Sequence, residues 1–245
     1  MPNLLKLISL NVEGHKHFDL QMAFLKAESP DVLCLQEVLE SDFEFIKSSL
    51  LMNGYFAPMV SERIIDKQKE EVLEPRGIAI FAKLPFEKSE AHYYYGNSNS
   101  LYEWIDGVTP QEKIQRAILW GSILKEEKIL FFGTTHFTWS KGGIVDGRQR
   151  KDLKALLKKL STIPEIIFCG DFNAPRGGEI FSMIAKKYKD NIPLEYFTSI
   201  YPNLHRKGDL QLMVDGLFST PGYQITNVRL KGGVSDHYAI IADIN

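Results

Sequence analysis

Ile166-Ile167-Phe168-Cys169-Gly170-Asp171-Phe172-Asn173 is an apolar run that turns abruptly polar, and Pro175 closes it two residues later. Four apolar residues in a row, bounded by turn formers, read as a buried strand. Such a strand ending in an aspartate and an amide sets two polar groups at the rim of a sheet. Asp and Asn also start turns on their own account, so the segment gains its meaning from what surrounds it.

Working outward, Leu153, Leu156, Leu157 and Leu160 mark an amphipathic helix ahead of the strand Glu165–Cys169. Before it, Ala117–Leu124 and Ile129–Phe137 flank Lys125-Glu126-Glu127-Lys128 as a hairpin. Toward the N-terminus, Leu5–Val12 and Val32–Leu35 read as strands. Between them Leu20, Ala23, Phe24 and Ala27 recur at helical spacing until Ser29-Pro30. A second helix starts near Asp42 with Phe43, Ile46 and Leu50 inward, and Gly77–Ala82 is an apolar strand. Downstream lie a helix near Glu179–Lys187 and strands near Val214–Ser219, Tyr223–Leu230 and Tyr238–Ile244. Hairpins mixed with strand–helix–strand units, strands outnumbering helices, point to an α/β fold of two packed sheets with helices outside. The polar stretches Ser61–Pro75 and His92–Gln115 are expected to be surface loops. With no internal repeat or linker, all 245 residues are expected to form one domain.

Composition is that of an ordinary globule: 44% hydrophobic, 24% charged. A net charge of −2 provides no global field to attract nucleic acid or an anionic membrane, although a local basic groove stays open. Cys34 and Cys169 both sit in apolar runs and read as buried thiols rather than a disulfide. Met1-Pro2-Asn3 leads straight into the first strand without a signal peptide, and no run reaches the ~18 apolar residues of a membrane span. A soluble, cytoplasmic monomer is expected.

Polar groups recur where apolar runs stop: Asn11, Gln36-Glu37, Thr135-His136, Asp171 and Asn173, Asp215, and Ser235-Asp236-His237. Six such segments meet only if their strand ends share one edge of the sheets, the arrangement of a pocket on a rigid scaffold. Glu37 and Asp236, with the amide oxygen of Asn11, are hard ligands suited to Mg²⁺ or Mn²⁺. The histidines and Asn173 are donors for charge developing on a phosphoryl group. A spare aspartate there can orient or deprotonate water. No serine or cysteine has an evident base partner, and no P-loop lysine pattern occurs.

The ordered set Asn11, Gln36-Glu37, His136, Gly170-Asp171-Phe172-Asn173, Asp215 and Ser235-Asp236-His237 resembles the endonuclease/exonuclease/phosphatase superfamily across residues 8 to 240. The resemblance implies a four-layer α/β/β/α sandwich of two mixed sheets and Mg²⁺-dependent hydrolysis of a phosphate ester. It implies Glu37 as principal metal ligand, helped by Asn11 and Asp236. Asp171 is implied to position or deprotonate water, Asn173 to bond the phosphate, and His237, oriented by Asp215, to contact a non-bridging oxygen. His136 stands where the abasic-site endonucleases carry tyrosine and deoxyribonuclease I carries histidine, which disfavours the abasic-site branch. Alternatives are a DNA-acting nuclease or DNA-repair phosphodiesterase, and a non-catalytic module that binds phosphorylated ligands.

Other polar groups have plainer readings. His15 and His17 are expected to be solvated, Arg76 and Arg116 solvated or ion-paired, and Arg148, Arg150 and Lys151 a solvated helix face. The aromatics Tyr93-Tyr94-Tyr95, Trp104, Phe137 and Trp139 are expected mostly to pack loops against the domain, the alternative being base stacking worth roughly 1–3 kcal/mol per base.

Overall fold

The strand Val32–Leu39 (β2) shows how the layers arise. Side chains alternate across a strand, so Val32 and Cys34 point into one apolar core while Leu33 and Leu35 point into another. The computed structural model describes residues 4–65 and 69–245; Met1-Pro2-Asn3 and residues 66–68 of the Ser61–Pro75 stretch lie outside them.

In chain order the first half comprises β1 (Leu5–Asn11), α1 (Phe18–Glu28), β2, α2 (Glu40–Ser49), β3 (Asn53–Ile65), β4 (Glu71–Ala82), β5 (Phe86–Tyr95) and the short β6 (Glu103–Trp104). The second half comprises β7 (Arg116–Lys125), β8 (Lys128–His136), α3 (Gly147–Leu160), β9 (Ile167–Asp171), α4 (Glu179–Ala185), the short β10 (Lys189–Asp190), β11 (Asp215–Ser219), β12 (Ile225–Lys231) and β13 (Ala239–Ile244). One sheet runs β12-β13-β1-β2-β4-β3-β6, the other β10-β11-β9-β8-β7-β5. Each is mixed. The parallel pairs β1–β2 and β8–β9 need crossovers, and α1 and α3 provide them.

Three apolar clusters define four layers. Leu7, Cys34, Ile80, Phe132, Ile167 and Leu217 meet between the sheets. Phe24, Leu25, Phe43 and Ile46 cover the outer face of the first sheet, and Leu153, Leu156, Leu160 and Phe181 that of the second. The result is the expected α/β/β/α sandwich. α3 begins where the Asp146 carboxylate accepts from Gln149 N–H at 2.7 Å and ends with Lys158 and Lys159, cations suited to a helix C-terminus. A buried polar tie also crosses the sandwich: Gln36 Nε2 donates to Thr134 Oγ1 at 2.8 Å. Nearby, the thiols of Cys34 and Cys169 lie 4.0 and 3.7 Å from the Gly133 carbonyl oxygen; both are free and buried, as expected.

Two expectations need correcting. Of the set Leu20, Ala23, Phe24 and Ala27, Phe24 alone is on the buried face of α1: Leu20 is 51% exposed, Ala23 and Ala27 are exposed, and Gln21, Met22 and Leu25 are buried beside Phe24. Gln21 tolerates burial because its Nε2 donates to the Val12 carbonyl at 2.8 Å. Of the polar stretches, Ser61–Pro75 is largely strand where described, whereas His92–Gln115 is mostly irregular as expected, with strand only at His92–Tyr95 and Glu103–Trp104. Residues 61–65 continue β3, residues 71–75 begin β4, and His92–Tyr95 complete β5. Among the described residues no helix is long and apolar enough to cross a membrane.

Candidate active site

The strand ends do converge. Register sets His136 beside Asp171 across β8 and β9, and Asp171 beside Asp215 across β9 and β11, so three of the expected residues stand in a row on neighbouring strands. In the other sheet, Asn11 of β1 pairs with Gln36 of β2, and Glu37 follows at a bulge against β4. Glu37 has φ +60° and Asn173 has φ +49°. Non-glycine residues held there cost about 1–3 kcal/mol each, and such strain gathers at functional sites. The glycine of Gly170-Asp171 is obligatory: at φ +138° a Cβ would stand 2.0 Å from the Thr135 carbonyl oxygen of the paired strand.

The two sheets meet through Asn11. Its Nδ2 donates to Glu37 Oε1 at 3.1 Å and to Asp171 Oδ2 at 3.2 Å. His136 Nε2 sits 3.8 and 3.6 Å from the same two oxygens. Asp171 is fixed further by Asn173 N–H, which donates to Oδ1 at 2.7 Å. His237 Nδ1 bonds Asp215 Oδ2 at 2.7 Å, and its Nε2 faces Asp171 at 4.0 Å. Glu37, His136, Asp171, Asn173, Asp236 and His237 line one cleft of about 690 Å³. Asp215 stands behind His237. Asn11 stands behind the carboxylates it joins.

The environments pull like groups apart. For Glu37, burial would raise the pKa, but Arg76 at 3.0 Å, then His136 and the Asn11 hydrogen bond outweigh it and hold the carboxyl at about 2. Burial pushes Asp236 up to about 6 against the pull of His237, with Glu13 and Glu37 adding repulsion. Asp171 is likewise raised by burial and by the Asp215 charge, despite His237 and His136. Burial also lowers His136 to about 4, Glu37 and Asp171 being offset in part by Arg116 and Arg76. His237 goes the other way: burial opposes its charge, yet Asp215 and then the other carboxylates raise its pKa well above the ordinary histidine range.

An all-oxygen carboxylate set from Glu37, Asp171 and Asp236 has the chemistry of a hard dication site. Among the described residues, no three His, Cys, Asp or Glu side chains are drawn close enough to form a ready-made cage. Glu37 and Asp236 suit the cation as cleft-lining carboxylates. The Asn11 amide differs from expectation in its orientation: Oδ1 accepts from Glu13 N–H at 3.1 Å, so nitrogen, not oxygen, faces Glu37.

A model of the Endonuclease/Exonuclease/phosphatase family matches residues 8–237. The chain belongs to that family. Members of the family are typically metal-dependent phosphoester hydrolases. Among solved structures, a family member from Bacteroides vulgatus superposes with a TM-score of 0.73 at 16% identity, covering 99% of both chains. The human Nocturnin catalytic domain gives 0.73 at 17% identity, covering 99% of this chain and 94% of its own. A mannosyl-6-phosphatase of Bacteroides thetaiotaomicron gives 0.69 at 13%, covering 98% and 99%. At such identities these likenesses speak for the fold. No curated protein matches the chain.

Beside these groups, the cleft holds residues that sequence reasoning undervalued or missed. Arg76 is ion-paired as expected, to Glu37 and to Glu62 at 3.1 Å, yet it lines the cleft. Arg116 is buried and donates to the His136 carbonyl at 3.1 Å. Trp104 and Trp139 line the cleft rather than only packing loops, whereas Phe137 is buried and the Tyr93–Tyr95 hydroxyls are tied to Pro58, Thr135 and Glu112. Asp106, His205 and Arg206 were missed, lying in irregular segments without periodic signal. His15 and His17 stay outside the cleft, bonded to Asp42 and Glu13, and Arg150 pairs with Glu179 on the surface.

Proposed function

We propose that this chain is a Mg²⁺-dependent hydrolase of phosphate esters that uses water directly, without a covalent enzyme intermediate. The observation that carries this reading is the meeting of Glu37 and Asp171, from different sheets, at one amide and one imidazole, with the His237–Asp215 pair in the same cleft. Glu37 and Asp236 would hold the cation, joined by Asn11 once its amide turns over. The metal would supply charge neutralisation on the phosphoryl oxygens.

The protein's own groups do the rest. Asp171 takes a proton from water as the water oxygen bonds to phosphorus; the ester P–O bond breaks, and the departing oxygen is protonated from solvent. The Nε2 of His237, whose ring is set by Asp215, donates to a non-bridging oxygen. Asn173 adds its amide N–H, and His136 stands beside both carboxylates.

The test is release of product from generic phosphate mono- and diesters with Mg²⁺, repeated with EDTA and with Glu37→Ala. Activity that survives both controls overturns the mechanism. A module that only binds phosphorylated ligands would instead show tight binding and no product in a single-turnover experiment.

A further inference from the structure

Two of the three arginines lining the cleft are ion-paired to carboxylates, and the third is buried and hydrogen-bonded within the protein. Arg76 is paired with Glu37 and Glu62 and Arg206 with Asp106 at 2.5 Å, while Arg116 keeps its charge but is buried, its guanidinium spent on the His136 carbonyl and Gln111 Oε1. The adjoining depression follows the same rule, with Arg63 on Glu103 at 2.8 Å and Lys16 on Glu13. Among the described residues lining the cleft there is no lysine, and the carboxylates of Glu37, Asp106, Asp171 and Asp236 outnumber the arginines. A track for a polynucleotide needs the opposite. Its affinity comes from unpaired cations that neutralise successive phosphates and release counterions.

The walls point to what does fit. Met59, Val60, Val108 and Ile114 give the cleft an apolar side, and Trp139, which lines the same cleft as His136, Asp171 and Asn173, is 41% exposed. A volume of about 690 Å³ is that of a site for one small molecule. Arg206 and Asp106 tie together two lining segments a hundred residues apart, and both also line the adjoining depression, so their pair stands between the two hollows.

We propose that the substrate is a small phosphate ester whose leaving group presents a flat apolar ring to Trp139, rather than a polynucleotide; this rests on the phosphoesterase reading above. Steady-state kinetics with Mg²⁺ would compare p-nitrophenyl phosphate and bis-p-nitrophenyl phosphate with a sugar phosphate and a single-stranded DNA oligomer. Each would be run at low and moderate NaCl for the native chain, Trp139→Ala and Trp139→Phe. The expected result is a KM for an aryl ester at least about fivefold below those of the sugar phosphate and the oligomer, the weight of about 1 kcal/mol of stacking; KM is compared because nitrophenolate leaves more readily than an alkoxide whatever the site. Its salt dependence should be slight, where a track touching six to ten phosphates would lose about 10³- to 10⁵-fold. Trp139→Ala should raise KM roughly 5- to 150-fold, the weight of one stacked ring, with kcat little changed, and Trp139→Phe should recover most of it. Preference for the oligomer or the sugar phosphate, or an unchanged KM in Trp139→Ala, overturns this proposal while leaving the phosphoesterase reading intact. Hydrolysis of none of the esters overturns both.

Discussion

Gly170→Ala should damage this protein in a way that can be sized in advance. The added Cβ would lie 2.0 Å from the Thr135 carbonyl oxygen and 3.1 Å from its carbon, and both atoms are backbone of the paired strand β8. No side-chain rotamer relieves that clash. Holding alanine at φ +138° costs roughly 1–3 kcal/mol, and prising the strands apart about 1–3 kcal/mol more. The sum, about 2–6 kcal/mol, is a large share of the about 5–15 kcal/mol that keeps a domain folded. At about 2–4 °C per kcal/mol for a chain of this size, the thermal midpoint should fall by about 4–24 °C. The next rung holds His136 beside Asp171, so the molecules that remain folded should also turn over more slowly. Gly107→Ala is the control: it has φ +72° but nothing within 4 Å of the added carbon, so it incurs the conformational cost alone. Melting followed by circular dichroism reads both variants. A Gly170→Ala midpoint within about 2 °C of the native chain, or a fall no larger than that of Gly107→Ala, refutes the reasoning.

Three further outcomes are expected. Asp215→Asn loses the charge behind the 2.7 Å bond to His237, worth about 1.5–3 kcal/mol, so kcat/KM should drop roughly 10- to 150-fold with the far-ultraviolet spectrum unchanged. Mg²⁺ at about 100 times its Kd should stabilise the native chain by about 2.7 kcal/mol; calorimetry should find that gain missing in Glu37→Ala. Burial raises the pKa of Asp152, despite the Thr138 hydroxyl that donates to it at 2.6 Å and the nearby cations. Because the folded pKa lies above the unfolded value of about 3.9, the folded state binds the proton more readily, and the carboxylate's penalty grows as pH rises through that window. Asp152→Asn should therefore compare better with the native chain in urea at pH ~7.5 than at pH ~3.5, below the window.

Much of the candidate site was legible because its polar groups interrupt apolar strands. Glu37, His136, Asp171, Asp215 and Asp236-His237 each sit where an apolar run yields, and the structure brings all of them to one edge. Strands at or near sheet edges were harder. β5 has no fully buried residue and is held at the end of its sheet by backbone pairing to β7, so its side chains carry no alternation to detect. The polar half of β3 is bonded to β4 in the same manner. For α1 the spacing of Leu20, Ala23, Phe24 and Ala27 identified a helix but, Phe24 apart, not its buried face, which includes Gln21 through its bond to Val12. The Arg206–Asp106 pair joins irregular segments, and no periodicity announces two side chains that meet only after folding.

The row formed by His136, Asp171 and Asp215 has a consequence for anyone redesigning this chemistry. Carried on adjacent strands of one sheet, these groups keep a pitch of about 4.8 Å dictated by the peptide chain itself, like teeth on a comb. Glu37 belongs to the other sheet, so the adjustable dimension is the gap between the two slabs. Repacking the apolar filling around Phe132 and Ile167, far from any reacting atom, is the lever that would retune the jaws.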